Sequence, residues 1–324
     1  MTKSLWTIGI DLGATKAGIA QVDSFGKLHH KVIVPTAHKE SPEAVIKDMV
    51  EAIKSLCQDI QDQPIGIGIG IAGQVDPEKN LVHYAPNLEW KEFPIGAHLT
   101  KHLHIPVTIT NDVRAAARGE WEYGAGKGSQ NLVCVFVGTG VGGGIVSNEQ
   151  MIHGHSFTAG EIGHMTIDFN GPKCACGNIG CLEAYAGGNS IAKRAKEAIK
   201  NNPEKGKGIL NHVEGQIDQV TAKTVSKAYH EKDPLAREII QDTIKALTFA
   251  SINIVNVLNP QHLIFGGGVV EGIPEMLESI KEGIQQHALK TAARELKVLE
   301  GQLKSNAGII GAASLALKTF GPES

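Results

Sequence analysis

Residues 161–183 read EIGHMTIDFNGPKCACGNIGCLE and hold the side chains best suited to chemistry. Cys174, Cys176 and Cys181 form one C-x-C-G-x-x-G-C run, and His164 stands ten residues before the first of them. Thiolate and imidazole are the ligands that tetrahedral Zn²⁺ prefers, and four of them leave no open position, so the metal would be structural. Gly177 and Gly180 let the backbone turn sharply enough to return Cys181 to the same point. A disulfide or redox pair is the competing reading. One intervening residue makes a strained ring, and nothing in the chain suggests export. Glu161 and Glu183 bracket the cluster. A structural metal does not need these carboxylates, whereas a pocket for a polyhydroxy ligand does, because buried hydroxyls must be paired.

Three glycine clusters form a second set. Asp11 opens the turn Gly13-Ala14-Thr15-Lys16, and Gly138-Thr139-Gly140-Val141-Gly142-Gly143 repeats the pattern. Gly266-Gly267-Gly268 is the third cluster. Glycine allows backbone N–H groups to approach phosphate oxygens closely. A lone glycine motif is weak evidence, but two similar hairpins and a third cluster carry more. The last candidate is Asn111-Asp112, where an apolar strand meets a helix. Either residue could simply cap that helix.

The elements that must position these groups are legible from periodicity. Strands are expected at 5–11, 17–22, 30–35, 65–72, 106–110, 131–137 and 262–265, with a short one near 296–299. The strand–glycine turn–strand logic of 5–22 recurs after 131, which suggests two related halves. Helices are expected from Ser41-Pro42, near 95–103, and at 113–122, 188–201, 221–230, 234–258 and 306–319, with another after Pro274. Residues 73–90 and 202–220 read as loops. Arg114 reads as a surface or helix residue rather than a catalytic one. Cys57 and Cys134 read as buried thiols.

Composition bounds the rest. At 324 residues the chain can hold two domains, and its 42% hydrophobic and 20% charged content is ordinary for a globular protein. A net charge of −3 gives no electrostatic footprint for nucleic acid. No stretch reaches membrane-spanning length, and MTKSLWTIGIDLG lacks the pattern of a signal peptide, so the cytoplasm is the expected compartment.

Together these motifs resemble the ROK family of sugar kinases, in the actin–hexokinase ATPase superfamily, with bacterial glucokinases the nearest subgroup. Asp11-x-Gly13-x-Thr15-Lys16 and Gly138–Gly143 look like its two phosphate motifs. Gly266-Gly267-Gly268 looks like its adenosine motif. The family signature runs through Gly154 to Gly160-Glu161-Ile162-Gly163-His164, and the cysteine run looks like its zinc motif. The resemblance implies a two-domain α/β fold, actin/hexokinase-like or ribonuclease H-like, with an interdomain cleft. It places an N-terminal domain at 1–115, rejoined by 305–324, and a C-terminal domain at 116–304 with the zinc module at 161–183. It implies phosphorylation of a hexose by ATP, D-glucose first, with N-acetylmannosamine, N-acetylglucosamine or fructose as alternatives. Asp112 would be the base. Gly73, Asn87, Asn111, Glu161, His164 and Glu183 would meet the sugar. Asp11, Gly13, Thr15, Lys16, Gly138, Thr139, Gly140, Gly142 and Gly266–Gly268 would serve ATP and Mg²⁺. His164, Cys174, Cys176 and Cys181 would hold Zn²⁺. The family also contains sugar-sensing repressors with a DNA-binding segment ahead of the body, for which Asp11 leaves no room here. A homodimer or higher homo-oligomer is the implied assembly, with neither nucleic acid nor membrane as partner.

Overall fold

The computed structural model describes residues 5–36, 41–58 and 63–322, so the head of the segment read for a signal peptide lies outside the described residues. Trp6–Leu12 (β1), Lys16–Asp23 (β2) and Leu28–Pro35 (β3) form an antiparallel meander. Pro42–Gln58 (α1) follows, its first turn met by Ser41 Oγ, which accepts from the Ala44 N–H at 3.4 Å. Ile67–Ile71 (β4) runs parallel to β1. Gln74–Asp76 (β5), Leu81–Ala85 (β6) and Trp90–Phe93 (β7) make a small separate sheet where the sequence reads as loop. Ile95–Leu103 (α2) leads to Val107–Asn111 (β8), parallel to β4, and Asp112–Tyr123 (α3) continues directly from it.

Leu132–Val137 (β9), Val141–Ser147 (β10) and Gln150–Met151 (β11) start the second large sheet. A mainly helical stretch follows: Leu182–Ala186 (α4), Gly188–Asn201 (α5), Lys207–Asn211 (α6), Ala222–His230 (α7) and Pro234–Leu258 (α8). Thus 202–220 is not all loop; it holds α6 and two 3-10 turns, pieces too short to show a period. The long α8 has the ends its sequence announces. Asp233 accepts from the Ala236 N–H at 2.8 Å, Pro234 sits in the first turn, and Asn259 ends it in the left-handed conformation before Pro260. His262–Gly266 (β12), Gly268–Gly272 (α9), Met276–His287 (α10), Lys290–Ala293 (α11), Lys297–Glu300 (β13) and Ala307–Phe320 (α12) complete the chain. No helix among the described residues is long and apolar enough to cross a membrane.

The two large sheets have matching strand orders, β3-β2-β1-β4-β8 and β11-β10-β9-β12-β13. The echo read in the sequence is therefore an echo of topology. The chain forms two compact units, one of 1–129, 144–160 and 302–324, the other of 130–143 and 161–301. Residue 115, where the resemblance put the first boundary, lies within α3.

In the first unit, β1 and β4 alternate isoleucine with glycine. Ile8, Ile10, Ile67, Ile69 and Ile71 are fully buried in a core with Met49 and Ile53 of α1 and Leu99 of α2. The opposite, glycine face admits helices at backbone contact. A Cβ on Gly9 would lie 2.1 Å from Ile309 O, and one on Gly68 would lie 1.8 Å from Ala312 O. A Cβ on Gly311 would lie 1.7 Å from Ala115 O, so α12 also packs on α3. This close packing brings the ends of β1, β8 and α12 together. The buried Glu120 carboxylate near the end of α3 accepts the N–H groups of Ala125, Gln302 and Leu303 at 2.8–3.0 Å, which satisfies it fully enough to stay in the core.

Candidate active site

In the first unit the site begins where β1 turns. The Gly13 N–H donates to Lys16 O at 3.1 Å and closes the hairpin, leaving Thr15 and Lys16 exposed. Thr36, buried and unremarked in the sequence, braces it from behind. Its hydroxyl donates to Gly13 O at 2.8 Å and its N–H to Thr15 O at 3.0 Å. Asp11 lies beside the start of α12, where a Cβ on Gly308 would come within 3.0 Å of its carboxyl carbon. Burial raises the Asp11 carboxyl above the usual range, opposed by the charges of Lys31 and Lys16.

At the end of β8 the ambiguity between Asn111 and Asp112 resolves. Asn111 Oδ1 accepts the N–H groups of Val113 and Arg114 at 3.0 and 3.2 Å, so Asn111 is the cap of α3. Its Nδ2 donates to Asp112 Oδ1 at 2.9 Å and to Gly73 O at 3.2 Å. Gly73 has no room for a side chain, since a Cβ would stand 2.6 Å from Tyr84 O. The strand containing Tyr84 leads straight to the exposed Asn87, on the 3-10 turn Pro86–Leu88. Gly73, Asn111 and Asp112 thus meet, with Asn87 displayed nearby along the chain. Arg114, read as a surface or helix residue, is a helix residue and is buried, and its guanidinium donates to the carbonyls of Phe157 and Ala159. It fixes the loop ahead of Gly160.

In the second unit, the Gly138 N–H donates to Gly140 O at 3.0 Å and closes the other glycine hairpin. The segment after α4 runs along it, with Gly188 N–H on Gly138 O at 2.8 Å and Asn189 N–H on Thr139 O at 3.0 Å. Glu183 Oε2 accepts the Val141 N–H at 2.9 Å. Gly163 packs on the same residue, where a Cβ would lie 2.1 Å from Val141 O, which seats Glu161 and His164 beside the hairpin. A cavity of about 1030 Å³ opens next to it, lined by Gly138, Thr139, Asn189 and Gly268 among others. Gly140, Gly142, Gly266 and Gly267 are not on its wall. Gly142 lies within β10. Gly266 and Gly267 serve packing: a Cβ on Gly266 would meet the Phe136 ring at 2.8 Å, and Gly267 has a φ of +93° against Val137 O.

The donor atoms of His164, Cys174, Cys176 and Cys181 all lie within 4.8 Å of one another. Cys176 Sγ and Cys181 Sγ are 3.7 Å apart, and Cys174 Sγ is 3.8 Å from His164 Nδ1. A tetrahedron with metal–sulfur bonds of about 2.3 Å has edges of about 3.8 Å, so the set fits Zn²⁺. Gly177 and Gly180 both take positive φ, +96° and +70°, as the tight turn requires. The Tyr185 hydroxyl donates to Asp168 Oδ2 at 2.6 Å and steadies the loop. Burial, followed by the adjoining thiols, pushes Cys181 up to about 12, while a backbone N–H from Asn178 lowers Cys176. A bound cation favours the thiolate and reverses the penalty on Cys181.

Two sheets of one strand order, each with a glycine hairpin, and a three-cysteine, one-histidine cluster in the second unit define a duplicated α/β class. The chain belongs to the ROK family, whose model matches residues 7–319. It is 32% identical over 313 residues to the glucokinase of Streptomyces coelicolor, covering 96% of this chain and 97% of that protein. It is 29% identical over 325 residues to the xylose repressor of Bacillus spizizenii, covering 98% of this chain and 78% of that protein. The solved structure of a ROK family glucokinase from Streptomyces griseus, in complex with glucose and AMPPNP, matches with a TM-score of 0.80 at 30% identity. That match covers 97% of this chain and 99% of the other.

Proposed function

We propose that the protein transfers the γ-phosphoryl group of ATP to a hexose, D-glucose first, at the 6-hydroxyl. The observation that supports this most is the division of labour after β8. Asn111 does the capping, so Asp112 is not required as a cap, and Asn111 Nδ2 holds its carboxylate at 2.9 Å. Asp112 then accepts the proton of the sugar hydroxyl as that oxygen attacks phosphorus. In the first unit, Asn87 offers its amide group to the ring's hydroxyls, and Asn111, tied to Gly73 O and Asp112, holds the edge of the sugar site. In the second, Glu161 and Glu183 accept hydrogen bonds from the sugar hydroxyls. His164, with Nδ1 turned to the cysteines, offers Nε2–H as a donor.

The cavity beside Gly138 and Gly268 suits adenosine in size. The hairpins at Gly13–Lys16 and Gly138–Gly143 offer N–H groups, and Thr15 and Thr139 hydroxyls, to phosphate. Asp11 would hold Mg²⁺ through water; the ion, when bound, neutralises charge on the transferring group. Zn²⁺ would be held by His164, Cys174, Cys176 and Cys181 and keep this architecture. The likeness to a xylose repressor favours a second reading, a sugar-responsive regulator that binds sugar without turning over ATP. The Asp112→Asn variant separates them. Its kcat should fall by about 10²–10⁴-fold, the worth of a positioned base, with sugar affinity roughly unchanged by calorimetry. Near-normal turnover in that variant would remove Asp112 from the chemistry.

A further inference from the structure

Glu183 occupies an unusual position for a carboxylate. Its negative charge beside a phosphate loop has the wrong sign for binding phosphate, so its presence there calls for another job. Its side chain lies between two glycines. A Cβ on Gly140 would come 2.3 Å from Oε2, and one on Gly187 would lie 3.0 Å from Cγ. Oε2 accepts the N–H of Val141, which is only 5% exposed and would otherwise lack water as a partner. Glu183 also follows the fully buried ligand candidate Cys181 by two residues, at the start of α4.

We propose that Glu183 is the positioning residue of the second glycine hairpin, joining the metal module to the phosphate loop as one rigid segment. This rests on the kinase reading of that hairpin. Three backbone atoms of the loop are held by residues 183–189: Gly138 O, Thr139 O and the Val141 N–H. These bonds use neither the Thr139 nor the Gly140 N–H, the pair that would face phosphate. Fixing the limbs and leaving the tip's donors to the ligand is preorganisation, which raises affinity by removing the ordering cost at binding. Glu183 thereby serves the nucleotide through the backbone while its second oxygen serves a sugar hydroxyl.

The test measures three quantities in wild type, Glu183→Gln and Glu183→Ala: zinc per chain, calorimetric affinity for a non-hydrolysable ATP analogue without sugar, and affinity for glucose. Glutamine keeps an acceptor for Val141 and should bind the analogue within about twofold of wild type. Alanine strands a buried N–H and should bind it about 5- to 100-fold more weakly. Both should keep one zinc and both should lose sugar affinity. A merely supportive role would move glutamine and alanine together. Gly140→Ala, which drives the carboxylate off Val141, should also weaken the analogue. Unchanged analogue affinity in Glu183→Ala, or in Gly140→Ala should the alanine variant fail to fold, overturns the proposal alone. A wild-type protein that binds no analogue overturns the proposal and the kinase reading together.

Discussion

Replacing Asn111 with aspartate or with alanine separates its two jobs. Aspartate is as good a helix cap as asparagine, so the bonds to the Val113 and Arg114 N–H groups survive. The Nδ2 donor does not survive. A second carboxylate oxygen would stand where Nδ2 now lies, 2.9 Å from Asp112 Oδ1. Two unit charges at that distance repel by about 6 kcal/mol at an effective dielectric of about 20, which the pair relieves by taking up a proton or moving apart. The proton belongs to the pair, and it occupies the group that must accept one from the sugar. The acid limb of the pH–rate profile should therefore move to higher pH. The pair's upper titration is raised in the folded state, so relative stability is fullest at low pH and lost as pH rises through it. Asn111→Ala should behave differently. It forfeits the cap, about 1 kcal/mol or about 2–4 °C in Tm, and should lower kcat while moving the limb to higher pH by less than Asn111→Asp does. Initial rates from pH 5.5 to 9 and paired thermal melts decide the matter. An Asn111→Asp enzyme with the wild-type profile would refute the placement of Asp112 as base.

Other perturbations follow from the same geometry. Asp11→Asn should abolish Mg-ATP turnover yet raise Tm by about 1–3 °C at neutral pH, because burial penalises the ionised carboxyl. The folded pKa is raised, so that gain should be full above it and vanish as pH falls below the unfolded value; a Tm difference independent of pH would contradict this. His164→Cys should retain zinc through four sulfurs but raise the sugar KM markedly with little change for ATP, whereas His164→Ala should lose both zinc and sugar affinity. Metal analysis beside steady-state kinetics checks both, and an unchanged sugar KM in the zinc-loaded cysteine variant would leave His164 as a ligand only. Stripping zinc with a chelator should raise the KM for ATP as well as for sugar, since Cys181 and Glu183 share one short segment.

What the sequence revealed depended on how local its signals are. The alternation of isoleucine and glycine in β1 and β4 announced strands, and the helix expected at 234–258 is α8. The His–Cys cluster was legible because its side chains, glycines and spacing lie in one stretch. The strands β5, β6 and β7 were missed because three to five residues carry too little pattern. Thr36, Glu120 and Arg114 were missed for another reason: each acts on backbone groups distant in the chain, and residue type alone gives no sign of that. Arg114 read as a surface or helix residue; it is a helix residue, and its burial is tolerable because its guanidinium has partners, the carbonyls of Phe157 and Ala159 among them. For Glu183 the sequence suggested a partner for hydroxyls, and the structure adds its bond to Val141.

The most direct measurement is a coupled assay of purified, zinc-loaded protein with Mg-ATP across glucose, fructose, mannose and the N-acetylhexosamines, with the product's phosphate position fixed by NMR. D-glucose should give the highest kcat/KM, with the phosphate at the 6-position. A higher kcat/KM for fructose or an N-acetylhexosamine would contradict the assignment of glucose, and sugar binding without ATP turnover for every sugar tested would contradict the kinase itself.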